Sequence, residues 1–166
     1  MDERKQVEIA LRESEERFRN IFETTLNCIF IKDKNLRFTQ VNPAMLNKLG
    51  ASGTEILGKT DKDVFSAAYA KQSRWVETKA LQGETVETQQ NLQVGGQMCI
   101  FNIIRSPLKD ALGRIIGVFG VARDLTEREF GRSQFKLSPD QYVSKAMRNA
   151  LYQTYLAAKS ESPVLF

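Results

Sequence analysis

Apolar and polar positions alternate along this chain in two rhythms, and the change from one to the other outlines its elements. Val7, Leu11, Ser14, Phe18 and Ile21 recur every three or four residues among charged neighbours, predicting an amphipathic helix over residues 2–22. Short apolar runs follow. Cys28 to Lys32 reads as a strand, Asp33-Lys34-Asn35 as its turn, and Arg37 to Val41 as its partner. Asn42-Pro43 then opens a helix, with Asn42 as cap and Pro43 at the first helical position, and Gly50 stops it.

Residues 54–65 suggest short helical turns interrupted by Gly58, and residues 66–81 a longer helix with Tyr69, Ser73, Val76 and Ala80 on one face. Two strands, Thr85 to Val94 and Gln97 to Leu108, flank Gly95-Gly96, which supplies the positive φ of a tight hairpin. Asp110-Ala111-Leu112-Gly113 turns the chain into a last apolar run, Ile115 to Ala122, which passes at once into polar Arg123-Asp124-Leu125-Thr126-Glu127-Arg128. Two strands, grouped helices and three further strands imply an α+β fold, a five-stranded antiparallel sheet with helices on one face.

Composition narrows function more than fold. The chain has no histidine, which removes the commonest general base, the usual metal and haem ligand, and the phosphoacceptor of a histidine kinase. With no Ser/Cys–His pair, metal cluster or phosphate loop, an enzyme is not expected; Asp61 and Asp63 lie in a polar segment and read as solvated. The formal charge of +4 is modest and no dense basic cluster carries interleaved aromatics, so direct nucleic-acid contact is not expected. No stretch approaches the roughly 20 apolar residues of a membrane span, and the chain reads as cytoplasmic. Cys28 and Cys99 read as buried free thiols.

Several motifs, in order and at matching spacing, carry a family resemblance. They are Glu15-Glu16-Arg17-Phe18 before Ile21-Phe22-Glu23, Val41-Asn42-Pro43-Ala44, Leu57-Gly58-Lys59-Thr60-Asp61, Ser106-Pro107-Leu108-Lys109-Asp110, Gly113-Arg114-Ile115-Ile116-Gly117-Val118 and Asp124-Leu125-Thr126-Glu127-Arg128. Together they resemble the PAS domain, a sensor module of signalling proteins. The resemblance implies a PAS fold over residues 23–128, with a preceding helix (1–22) and a linker with a second segment (129–166). It also implies a signal hinge at Asp124, Thr126, Glu127 and Arg128, whose bland counterpart is simple capping of the next helix. Ser138-Pro139-Asp140-Gln141, Ser144-Lys145-Ala146-Met147 and Pro163-Val164-Leu165 resemble the opening of the AAA+ domain of sigma-54-dependent transcriptional activators, without a Walker loop. The expected whole is a transcriptional regulator with downstream AAA+ and DNA-binding domains; a histidine kinase, a diguanylate cyclase or a passive dimerisation module are the alternatives.

A curled PAS sheet encloses a small cavity. Alternation assigns Cys99, Phe101, Ile103 and Arg105 inward on the fourth strand, and Gly117, Phe119 and Val121 on the fifth. Phe30, Met45, Leu49, Val76 and Leu81 complete the candidate lining. It reads either as a filled core or as a pocket for a small molecule. Arg105 pairs with a carboxylate, reaches solvent, or holds an anion. The residues argue against flavin, because Asn27-Cys28 is followed by Ile29-Phe30 on the first strand. Histidine-ligated haem is excluded, and Cys99 or Met45 has little to commend it as a haem ligand. Val7, Leu11, Phe18 and Ile21 form either the seam of a homodimer or the face a helix packs on its own domain.

Overall fold

A computed structural model of the chain describes residues 2–127. The elements run α1 (Glu3–Thr24), β1 (Cys28–Asp33), β2 (Phe38–Val41), α2 (Pro43–Leu49), α3 (Gly53–Ile56), α4 (Asp61–Val64), α5 (Ala67–Leu81), β3 (Val86–Val94), β4 (Gln97–Lys109) and β5 (Ile115–Asp124). The strands form one antiparallel sheet in the order β2-β1-β5-β4-β3. The last strand therefore lies at the centre, pairing with both β1 and β4. Its C-terminal end leaves the domain from the middle of the sheet.

Local chemistry explains the boundaries. Asn42 caps α2 by accepting the Met45 N–H (3.1 Å), and Gly50 closes it with a left-handed φ of 62°. Ser66 caps α5 by accepting the Tyr69 N–H. Gly95 and Gly96 take φ values of 57° and 80°, the pair that a two-residue hairpin requires, and β3 and β4 stay in register from Val94↔Gln97 to Val86↔Arg105.

The sheet separates two apolar layers. On one face Phe30, Phe38, Met45, Ile56, Tyr69, Leu92, Cys99, Phe101, Ile103 and Ala122 pack beneath α2 to α5. On the other, Ile29, Ile31, Leu108, Phe119 and Val121 pack against Phe18, Ile21 and Phe22 of α1. Asn42, fully buried, ties the layers together. Its Oδ1 also accepts the Ile29 N–H (2.9 Å), while its Nδ2 donates to the Phe22 and Asn27 carbonyls (3.0 and 2.9 Å).

Two expectations change here. Phe119 and Val121 pair with Ile31 and Ile29, so they face α1 and not the helical layer, and Gly117 keeps their parity. Val118, Gly120 and Ala122 point the other way, opposite Lys32, Phe30 and Cys28. A central strand covered on both faces is apolar throughout, so it offers no alternation from which to choose a face. In α1, Phe18 and Ile21 pack on the sheet, whereas Val7 and Leu11, equally half-buried, lie on the preceding turns and outside that cluster. The seam is thus divided: its C-terminal half is occupied by the domain itself. The second segment, residues 129–166, lies outside the described residues.

Candidate functional site

Between the sheet and α2, α4 and α5 lies a cavity of about 40 Å³. That is space for about three water molecules. Phe30, Phe38, Met45, Leu49, Phe65, Tyr69, Leu92, Phe101, Ile103 and Ala122 supply its bulk, Cys28 and Lys48 one end, and Lys32 and Asp61 the other. Its wall surface is apolar; the charged ends of Lys32 and Asp61 are turned into contacts with protein. Gly120 makes the arrangement possible. A Cβ there would stand 2.0 Å from Cζ of Phe30, so only glycine leaves room for that ring against β5.

Of the candidate lining, Phe30, Met45, Leu49, Phe101 and Ile103 stand on the wall. Cys99 is buried in the same core without reaching it. Val76 is buried on the inner face of α5 away from the cavity wall, and Leu81 borders an outer groove with Lys34, Lys71 and Arg74. Helix α5 meets the cavity through its first turn, at Tyr69, and its later turns cover β3 to β5 instead.

Behind the cavity lies a buried charge network that pattern reading missed. Lys32 donates to Glu77 Oε1 (2.6 Å) and pairs with Asp61 Oδ1 (2.7 Å). Arg105, with no solvent exposure, reaches Glu77 (3.4 Å), Gln90 Oε1 (3.0 Å), Ser73 Oγ (3.1 Å) and Tyr69 Oη (3.2 Å). Ser73 in turn donates to Asp61 (2.5 Å). Two cations thus face two carboxylates. Of the three fates open to Arg105, pairing with a carboxylate is the one found. Asp61, expected to be solvated, is buried at 7% exposure. Burial pushes the Glu77 carboxyl up from its usual value and the facing Lys32 pulls it back. Burial likewise raises the Tyr69 hydroxyl to about 12, keeping it a neutral hydrogen-bonding group. Gln90 Nε2 is the buried side-chain polar atom without a partner among the described residues, because its amide oxygen is turned to Arg105. Lys32 also stands over the Phe38 ring, 4.4 Å from its centroid.

At the opposite end, Lys48 of α2 forms an ion pair with Asp124 at the close of β5. Asp124 accepts the Thr126 N–H (2.9 Å) and the Thr126 hydroxyl, and Thr126 Oγ1 accepts the Ile100 N–H (3.0 Å). The Leu125 N–H donates to the Ile100 carbonyl (2.7 Å). Partial burial raises the Asp124 carboxyl, but the hydrogen bonds from Lys48 and Thr126 outweigh it and hold the group below its usual value. Cys28, mainly through burial, is pushed up to about 11. Of the four expected hinge residues, Asp124 and Thr126 are engaged, Glu127 is exposed, and Arg128 lies outside the described residues. Among the described residues no group of three or more His, Cys, Asp or Glu is placed to hold a metal, and no helix is long and apolar enough to cross a membrane.

This architecture, a five-stranded sheet in the order 2-1-5-4-3 enclosing a small cavity under short helices, is that of a sensor fold. The profile of the PAS fold matches residues 22–129, and the chain belongs to that family. It is 37% identical over 116 residues to the methanogenesis regulatory histidine kinase FilI of Methanothrix harundinacea, covering 69% of this chain and 13% of that protein. It is 28% identical over 127 residues to the methyl sulfide methyltransferase-associated sensor of Methanosarcina acetivorans, covering 72% of this chain and 12% of that protein. Among solved structures, the PAS domain of Bordetella pertussis BvgS superposes with a TM-score of 0.57 at 27% identity, over 78% of this chain and 99% of that one. The chain is a signal-sensing PAS domain, and it spans about an eighth of the length of the curated relatives it matches.

Proposed function

We propose that this domain senses a small uncharged molecule, mainly apolar, and passes the result through the Asp124–Thr126 junction to an output of histidine-kinase type. Its role is binding and signalling, without turnover or a metal, haem or flavin cofactor. The observation that carries this reading is the cavity wall, apolar at its surface and closed in charge behind it. A charged guest would bring an uncompensated charge into a site whose cations are already matched, at a cost of several kcal/mol. An uncharged guest meets no such penalty and gains from covering apolar wall.

The kinase output is supported by the name of one relative, FilI, whose sequence this chain resembles over the sensor region. The alternative, a sigma-54-dependent regulator with AAA+ and DNA-binding domains, is supported by the motifs between Ser138 and Phe166. The coding sequence beyond Phe166 decides between them: a phosphoacceptor histidine supports the kinase, and a Gly-rich loop ending in Lys and Ser/Thr the ATPase. Homodimerisation through α1 fits Val7 and Leu11, which are only partly covered on its N-terminal turns. Thermal shift against matched pairs of uncharged molecules of about three or four heavy atoms and their carboxylate analogues, a size the cavity holds, tests the sensing claim. Stabilisation by the uncharged members alone supports it; a uniform preference for the carboxylates, or no response to any member, overturns it.

A further inference from the structure

Lys48 touches both ends of the proposed signal. Its stem lines the cavity between Met45 and Leu49, and its ammonium stands 5.9 Å from the centroid of the Phe101 ring, another wall residue. The same ammonium pairs with Asp124, the carboxylate that organises the Thr126 turn and, through Thr126, the Ile100 amide of β4. No other side chain of the described residues both lines the cavity and forms an ion pair with the junction. Half-exposed, Lys48 has room to move without burying an unpaired charge; its side chain is 34% exposed and that of Asp124 31%.

We propose that Lys48 is the positioning residue that couples cavity occupancy to the junction. A guest pressing on Phe101, Met45 and Leu49 displaces the Lys48 stem, loosens its ion pair with Asp124, and so alters the order of the Thr126 turn from which the chain leaves the sheet. The inference rests on the sensor reading above, but it specifies the route. Coupling of this kind is reciprocal: whatever changes the ion pair must also be felt at the cavity wall.

Two measurements on the chain test it, both by NMR. In the first, xenon under pressure is the probe, since small apolar cavities admit it. Wild type, Lys48→Met and Lys48→Arg are compared. Lys48→Met keeps the apolar stem and removes the charge; Lys48→Arg keeps the charge. Xenon should shift the wall signals of Met45 and Ile103 in all three. The amides of Ile100, Leu125 and Thr126 should respond in wild type and Lys48→Arg, and at least about threefold less in Lys48→Met. An undiminished junction response in Lys48→Met overturns the proposal. Xenon that leaves the wall signals of all three unmoved counts against an accessible cavity, which is a failure of the sensor reading.

The second measurement needs no guest. Its bonds to Lys48 and Thr126 hold the Asp124 carboxyl below the usual carboxylate value, so its contribution is present above the unfolded value and is lost as the pH falls through the folded one. The charged and titratable groups around the pair are Cys28 and Cys99. As Asp124 protonates, the Met45 methyl and the Thr126 amide should move with one midpoint in wild type. In Lys48→Met the Met45 methyl should no longer follow. Separate midpoints in wild type, or unchanged co-titration in Lys48→Met, overturn the coupling.

Discussion

Replacing Glu77 with Gln removes the carboxylate shared by the two buried cations and changes the volume hardly at all. Glu77 is 1% exposed; it holds Lys32 at 2.6 Å and Arg105 at 3.4 Å. In the variant, Asp61 alone faces two buried cations. Breaking a buried pair by removing one partner costs about 3–5 kcal/mol, because the partner's charge is left uncompensated. For a domain of this size that corresponds to a fall in Tm of roughly 10 °C or more. Urea unfolding followed by tryptophan fluorescence and far-ultraviolet dichroism reads the loss as a lower midpoint at constant slope. Lys32→Met combined with Glu77→Gln restores the charge balance, so the double variant should lose less than the two single variants together, with a coupling of about 1 kcal/mol or more. A loss below about 1 kcal/mol for Glu77→Gln, or strict additivity in the double variant, would refute the view that these four charges form one balanced unit.

Three further outcomes follow from the geometry. Asn42→Ala removes the side-chain partner of the Ile29 N–H and of two carbonyls at once, while the Met45 N–H keeps the Asn42 carbonyl, so a loss of roughly 3 kcal/mol is expected in the same unfolding assay; Asn42→Asp should also destabilise, since it cannot donate to the Phe22 and Asn27 carbonyls. Gly120→Ala drives a methyl group into the Phe30 ring, with an expected cost of about 1–3 kcal/mol and a loss of xenon uptake as the ring is pushed into the cavity. Cys28, raised to about 11, should react with iodoacetamide at about pH 8 roughly 100-fold more slowly than an ordinary thiol; mass spectrometry showing comparable rates would contradict its burial.

Much of the fold was legible because its punctuation is local. Asn42-Pro43, Gly50 and Gly95-Gly96 each terminate or cap an element through chemistry confined to a few residues, and each does so in the structure. Alternation worked on β4, where Cys99, Phe101 and Ile103 are buried and Ile100 and Asn102 between them are less so, and failed on β5, where every position from Gly117 to Ala122 is buried and both faces look alike. The charge network was invisible for a different reason. Alternation places Arg105 inward but says nothing of its partners: Lys32, Asp61 and Glu77 are scattered over the sequence, and Asp61 and Glu77 resemble surface residues until the fold brings them together. Lys32 within the run Ile29-Phe30-Ile31 carried a readable signal, a cation where a two-sided strand expects an apolar side chain. Lys48, a cation near the end of a short helix, where a solvated lysine is ordinary, carried none.

The whole account depends on an apolar hollow beneath α2 and α5 that admits an uncharged guest. A crystal of the domain pressurised with xenon tests this directly. Anomalous density among Phe30, Met45, Tyr69 and Phe101 is the result predicted. An unoccupied or side-chain-filled site there, with xenon bound only elsewhere, would contradict it.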